Sequence, residues 1–316
     1  MGTEIAMYPH MVLQKTIRQP VSVIGIGLHS GLEARVVLRP ARPNSGIIFV
    51  RADLPGAPEI PASFKYVVNT QMATTLGRGK ATISTVEHLM AAIAGMDIDN
   101  LRIEVFGPEM PILDGSSIQF VEAIQNVGIE TQLQARPILV LRKKVEIKVA
   151  EKWAVAEPSS RLEIHGSIDW DHPAIGFQEF SFVEGMSSFE QIASARTFGF
   201  LRDVEMLKKR GLARGGSIEN AVVLDDASVL NPEGLRYPDE MARHKVLDAL
   251  GDFKLSGVAI CASIRLHRAG HDLHSQLLQA IFKDPANYQI VTGSIEGSTE
   301  LQKSDFVAPA VRPAIA

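Results

Sequence analysis

His88-Leu89-Met90-Ala91-Ala92-Ile93-Ala94-Gly95 and His244-Lys245-Val246-Leu247-Asp248-Ala249-Leu250-Gly251 share one pattern: a histidine, apolar residues at helical spacing, and a glycine at the end. Each is followed by a second helical pattern. One begins at Asp114 and reads through Phe120-Val121-Glu122-Ala123-Ile124; the other begins at His271 and reads through Leu277-Leu278-Gln279-Ala280-Ile281. The separations, His88 to Asp114 and His244 to His271, are 26 and 27 residues. A spaced match of this kind predicts a duplicated strand–helix–strand–helix unit. The alternative is chance likeness of two amphipathic helices. Duplication would set the two histidine-bearing helices facing each other and bring His88 to His244.

Around these helices the chain reads as α+β. Val21–Ile26 and residues 32–38 are strand-like runs joined by Gly27-Leu28-His29-Ser30-Gly31, which predicts a hairpin. The glycines of residues 25–31 have a dinucleotide-loop flavour, but the third comes one place late and a strand follows instead of a helix. Ser84 precedes Glu87 by three, the spacing of a capping box, and opens a helix that stops at Gly95. Leu101–Phe106 is a strand, and Asp114-Gly115-Ser116 caps a helix over residues 117–126. The polar stretch 130–137, with its proline, is the expected linker. Strands resume over 138–149 and 153–168, and a long helix is expected over 238–253.

The 316 residues are enough for two cores, and 46% hydrophobic with 22% charged residues places the chain among soluble globular proteins rather than disordered ones. A net charge of -4 argues against the basic field that holds nucleic acid. The single cysteine, Cys261, rules out an internal disulfide and reads as a buried small hydrophobe, which suits a reducing cytoplasm. Residues 1–5 carry an acid and no basic region ahead of an apolar core, so no secretory signal is expected. No apolar run is long enough to span a membrane, so a lipidic substrate would need a pocket or groove.

The chemistry-bearing residues concentrate on the repeated helices. His244, Asp248 and Asp252 are spaced by four, which puts them on one helix face. Imidazole and carboxylate at that spacing can hold zinc, although the same pair occurs on many solvated helices. A catalytic site needs a third protein ligand, and the repeat nominates His88. Glu87 beside it is either the capping carboxylate or a general base toward metal-activated water. His271, at a helix start after Gly270, is a candidate general acid, with His267 and His274 as rivals. A helix N-terminus would lower its pKa and a carboxylate such as Asp252 would raise it. Thr197 offers a hydroxyl to an oxyanion or simply ends a strand. Lys245 either binds an anionic substrate group or is solvated surface.

With these segments in view, the chain resembles the UDP-3-O-acyl-N-acetylglucosamine deacetylases, zinc amidases of lipid A biosynthesis in Gram-negative bacteria. The likeness lies in residues 25–31, Ile83-Ser84-Thr85-Val86-Glu87-His88-Leu89, Ile98-Asp99-Asn100, residues 108–115, residues 169–173 with Asp171-His172-Pro173, residues 194–200, residues 210–217, residues 243–252 and Gly270-His271-Asp272-Leu273. It covers nearly the whole chain, roughly 15–290. The resemblance implies zinc on His88, His244 and Asp248, with Glu87 as general base. It also implies His271 as general acid held by Asp252, Thr197 at the oxyanion and Lys245 on the substrate. Phe198 and Leu28 would flank the passage for the fatty acyl chain, to which residues 210–217 belong. The implied fold is α+β: two duplicated two-layer βα sandwich domains packed face to face with the active site at their junction. The domains would cover 15–133 and 138–300, with an N-terminal extension over 1–14 and a tail over 301–316. A cytoplasmic monomer acting on acylated UDP-N-acetylglucosamine, with no nucleic acid partner, is the corresponding expectation. Asp272 and His274 depart from the family pattern, where a small residue and an asparagine are commoner. Two other readings remain at this stage: a zinc amidase for another N-acetyl sugar, and a binding module with a structural metal. The latter needs a closed four-ligand site, and no fourth ligand is evident.

Overall fold

The computed structural model describes residues 12–292 and the backbone of the short strand Gln302–Lys303. The expectations for residues 1–11 and for the rest of the C-terminal tail lie outside the described residues. Among the described residues no helix is long and apolar enough to cross a membrane.

The first half is built on a five-stranded sheet. Its order is Val21–Ile26, Glu33–Pro40, Leu101–Phe106, Ile47–Arg51 and Glu59–Pro61. The predicted hairpin is present, with Val23 opposite Val36. Leu101–Phe106 lies centrally, antiparallel to Glu33–Pro40 and parallel to Ile47–Arg51. Its burial alternates strictly, since one face of the sheet meets the helices and the other does not. Those helices are α1 (Glu87–Gly95) and α2 (Ile118–Val127), close to the sequence expectation.

The second half repeats this arrangement of strands. Val145–Val149 and Lys152–Pro158 form a hairpin, and the latter runs antiparallel to Ala259–His267. Ala259–His267 is in turn parallel to Leu162–Trp170, which pairs antiparallel with Gly176–Val183. Order, strand sense and sequence order are those of the first sheet, and Pro137–Leu141 and Tyr288–Thr292 extend the second. Between these strands come two short helices, α3 (Glu190–Ala193) and α4 (Leu201–Lys209). The long α5 (Glu240–Lys254) and then α6 (His271–Lys283) follow. Cys261 sits buried in the strand Ala259–His267, where burial pushes its thiol up to about 11.

Two local expectations are corrected, and the role of Gly251 is made plain. The capping box does not form: α1 begins at Glu87, after Thr85 has turned to φ 58° with its hydroxyl on Glu109. Ser84 instead bonds Thr75, and a positive φ at a β-branched residue blocks a helical turn between Ser84 and Glu87. The expected linker is mostly strand: Ile129–Ala135 pairs antiparallel with Leu13–Ile17, and Arg136 is tied to Asp97 and Asp99. A two-stranded ribbon with one solvated side carries many polar residues, which is why the stretch reads as a loop. Gly251, the last residue of the repeated pattern, lies within α5, which runs to Lys254 close to the expected helix end. It is where α1 crosses α5: a Cβ at Gly251 would lie 2.1 Å from the Glu87 carbonyl oxygen and 3.0 Å from Ala91 N. Only glycine permits that approach.

Candidate active site

The crossing of α1 and α5 sets the first turn of one against the middle of the other. His88 and His244 come together with ring centroids 5.0 Å apart and planes at 89°. Asp248, one turn after His244, places Oδ1 3.3 Å from His244 Nε2 and 3.7 Å from His88 Nε2. Two ligand atoms each about 2 Å from a tetrahedral metal are about 3.3 Å apart, so this spacing fits a shared cation. The donor chemistry fits as well. His244 Nδ1 donates to the Ala195 carbonyl at 3.0 Å, which leaves Nε2 as the bare nitrogen. Burial, only partly offset by Asp248, holds the His244 pKa down to about 3, so the ring is neutral and able to ligate. Lys245 Nζ takes the other Asp248 oxygen at 2.8 Å. Burial would raise the Asp248 pKa, but the neighbouring His244 and then Lys245 outweigh it and hold the carboxyl well below the usual carboxylate range, and the Lys245 bond leaves Oδ1 free.

Beside this trio Glu87 faces His271. Glu87, buried in the first turn of α1, accepts the Thr74 backbone N–H on Oε2 at 3.0 Å. Its Oε1 faces His271 Nε2 at 3.6 Å, too long for a hydrogen bond. Burial raises the Glu87 pKa against the pull of His271 and His88. His271 starts α6 as expected, and its Nδ1 donates to Asp252 Oδ2 at 2.7 Å. Burial disfavours its charge, but Asp252 and Glu87 outweigh burial and lift its pKa to about 9. The carboxylate therefore overcomes the helix N-terminus. Asp252 is itself held to about 2: burial would raise it, and the His271 charge and hydrogen bonds from both imidazoles win.

The two rival histidines have other work. His267 stacks on Trp153 and bonds Ser167. His274 sits behind His271, with Nδ1 on Asp252 Oδ2 at 2.8 Å. Asp252, though on the same face of α5 as His244 and Asp248, groups with these two imidazoles rather than with His88, His244 and Asp248.

A cavity of about 330 Å³ joins these groups. It is lined by Leu28, Glu87, His88, Thr197, Phe198, His244, Lys245, Asp248 and His271 among others, so nine of the ten residues singled out in the sequence share one space. The tenth, Asp252, is behind His271. Thr197 N donates to the Gly115 carbonyl at 2.7 Å, and Thr197 leads into the strand Phe198–Phe200. Phe198 stands edge-on to His244 and beneath the Lys245 ammonium. The glycine-rich segment 210–217 clasps the Leu28 loop through Arg214 N to His29 O and Gly215 N to Leu28 O. Thr74 carries no sequence signal, and Ala195 and Glu109 fall in the matching stretches 194–200 and 108–115 without being singled out there. Glu109 is buried and accepts three bonds, from His29 N, Ser30 N and the Thr85 hydroxyl, so it fixes the Leu28 loop against the start of α1.

Comparison with known proteins decides the family: residues 14–283 match LpxC, UDP-3-O-acyl N-acetylglycosamine deacetylase. The chain belongs to this family. A Myxococcus xanthus protein named UDP-3-O-acyl-N-acetylglucosamine deacetylase is 49% identical over 90% of this chain and 91% of its own length. Proteins of the same name from Anaeromyxobacter dehalogenans and Haemophilus influenzae are 44% and 41% identical, over 94% and 95% of this chain and 96% and 99% of theirs. The deacetylase family thus covers both helix pairs and every residue of the site.

Proposed function

We propose that this chain hydrolyses the N-acetyl group of UDP-3-O-acyl-N-acetylglucosamine, releasing acetate and UDP-3-O-acyl-glucosamine, the committed step of lipid A biosynthesis. The observation that carries this reading is the meeting of His88, His244 and Asp248 with the Glu87–His271 pair in one cavity of a family member. The matching topology of the two sheets supports two duplicated βα sandwiches, 15–133 and 138–300, with the site where α1 and α5 cross. The protein is read as a cytoplasmic monomer.

His88, His244 and Asp248 would hold zinc, which when bound polarises the acetyl carbonyl and lowers the pKa of water. Glu87 Oε1 takes a proton from the attacking water as its oxygen bonds the carbonyl carbon. The Thr197 hydroxyl donates to the oxygen on which negative charge develops. His271, charged through neutral pH, gives the proton from Nε2 to the glucosamine nitrogen as the C–N bond breaks and acetate leaves. Asp252 keeps Nδ1 protonated and the ring oriented. Phe198 and Leu28 flank the acyl chain, and Lys245 contacts the substrate.

The test is acetate release from the acylated UDP-sugar and from UDP-N-acetylglucosamine lacking the chain, before and after chelation. Turnover of the acylated substrate alone, lost on chelation and restored by zinc, is expected. Equal turnover of both sugars would point to a deacetylase of another N-acetyl sugar, and activity that survives full metal removal would overturn the mechanism.

A further inference from the structure

Thr74 is buried just before the strand Thr75–Arg78, and it does not line the cavity. Nevertheless it binds both carboxylates of the acid–base machinery. Its backbone N–H donates to Glu87 Oε2 at 3.0 Å, and its hydroxyl donates to Asp252 Oδ1 at 2.6 Å. Its carbonyl accepts Val86 N at 3.3 Å, at the entry to α1. The remaining oxygens, Glu87 Oε1 and Asp252 Oδ2, face the two nitrogens of His271 at 3.6 and 2.7 Å. One residue thus occupies the outer oxygen of each carboxylate and turns the inner oxygen toward the same imidazole. A carboxylate torsion is soft by itself, so such bonds decide where the lone pairs point.

We propose that Thr74 is a positioning residue that fixes Glu87 and Asp252 relative to His271. The proposal rests on the acid–base roles given above. With the hydroxyl removed, Asp252 Oδ1 is left buried without a donor, and only the two imidazoles on Oδ2 orient the group.

The test compares Thr74→Val, which keeps the shape and loses the hydroxyl, with Thr74→Ser, which keeps the hydroxyl. Thr74→Ala is read in place of Thr74→Val if the latter does not fold. The expected result is a kcat lowered roughly tenfold to a hundredfold, as for one lost hydrogen bond to a charged group, with KM and zinc content unchanged. Thr74→Ser should restore kcat. In an Asp252→Asn background the Thr74→Val loss should nearly vanish, because Thr74 acts through that carboxylate. The low-field proton resonance of His271 Nδ1 should shift in Thr74→Val, a readout independent of turnover. Wild-type kcat in Thr74→Val, an unrescued Thr74→Ser, or full additivity with Asp252→Asn would overturn the proposal. A wild-type chain that fails to deacetylate the substrate, with the resonance still responding to Thr74→Val, would instead overturn the assigned function.

Discussion

Gly251→Ala adds one methyl group at the crossing of α1 and α5. The added carbon would lie 2.1 Å from the Glu87 carbonyl oxygen, 2.9 Å from its carbon and 3.0 Å from Ala91 N. Ordinary contact begins near 3.4 Å, so the helices must part by about 1 Å. All three close atoms are backbone, so no rotamer can relieve the clash. Helix propensity alone would favour alanine by about 1 kcal/mol, which fixes the sign of the test. Overpacking costs about 1–3 kcal/mol and should outweigh it, lowering Tm by several degrees for a chain of this size. The larger effect should fall on the site, because α1 carries Glu87 and His88 while α5 carries His244 and Asp248. A shift of about 1 Å between reacting groups can cost about a hundredfold in rate. Thermal melts, zinc titration and kcat would be measured beside Gly199→Ala, where an added carbon meets nothing within 4 Å. A Gly251→Ala protein with wild-type Tm and zinc affinity would refute the idea that this contact sets the ligand spacing.

The other predictions concern the side chains themselves. Glu87→Ala and His271→Ala should lose most turnover yet keep zinc, whereas His244→Ala should lose zinc; intact metal stoichiometry in the last would remove it from the ligand set. His271 is raised from 6.5 to about 9, so its ion pairs stabilise the fold fully below pH about 6.5 and are lost as pH rises through about 9. Activity that needs His271 as acid should fall over the same alkaline limb, and Asp252→Asn should move that limb to lower pH. A limb unmoved by Asp252→Asn would exclude His271 as its source. Lys245→Ala removes the partner of Asp248 Oδ2 and should weaken zinc binding about tenfold or more. Unchanged zinc affinity with a raised KM would give Lys245 a substrate role alone.

The sequence alone carried the period of the helices, the histidines they bear and the i, i+4 spacing of His244, Asp248 and Asp252, because helical geometry is local. It also carried the family, through motifs spread from residue 25 to residue 273. Local rules failed where distant backbone intervenes. Ser84 and Glu87 satisfy a capping box on paper, yet Glu109, held by the Leu28 loop, takes the Thr85 hydroxyl at a positive φ and frees Glu87 for the cavity. Gly251 closes the repeated pattern inside a longer helix, and only the crossing of α1 reveals why the residue has no side chain. His271 is the candidate acid in the sequence, with His267 and His274 as rivals; packing turns His267 toward Trp153 and the other two onto one oxygen of Asp252. Thr74 has no signal at all, since its partners lie 13 and 178 residues away along the chain. Residue types and spacing thus determined which chemistry was possible. Which of those residues meet was decided by the close approach of two helices that only the folded chain brings together.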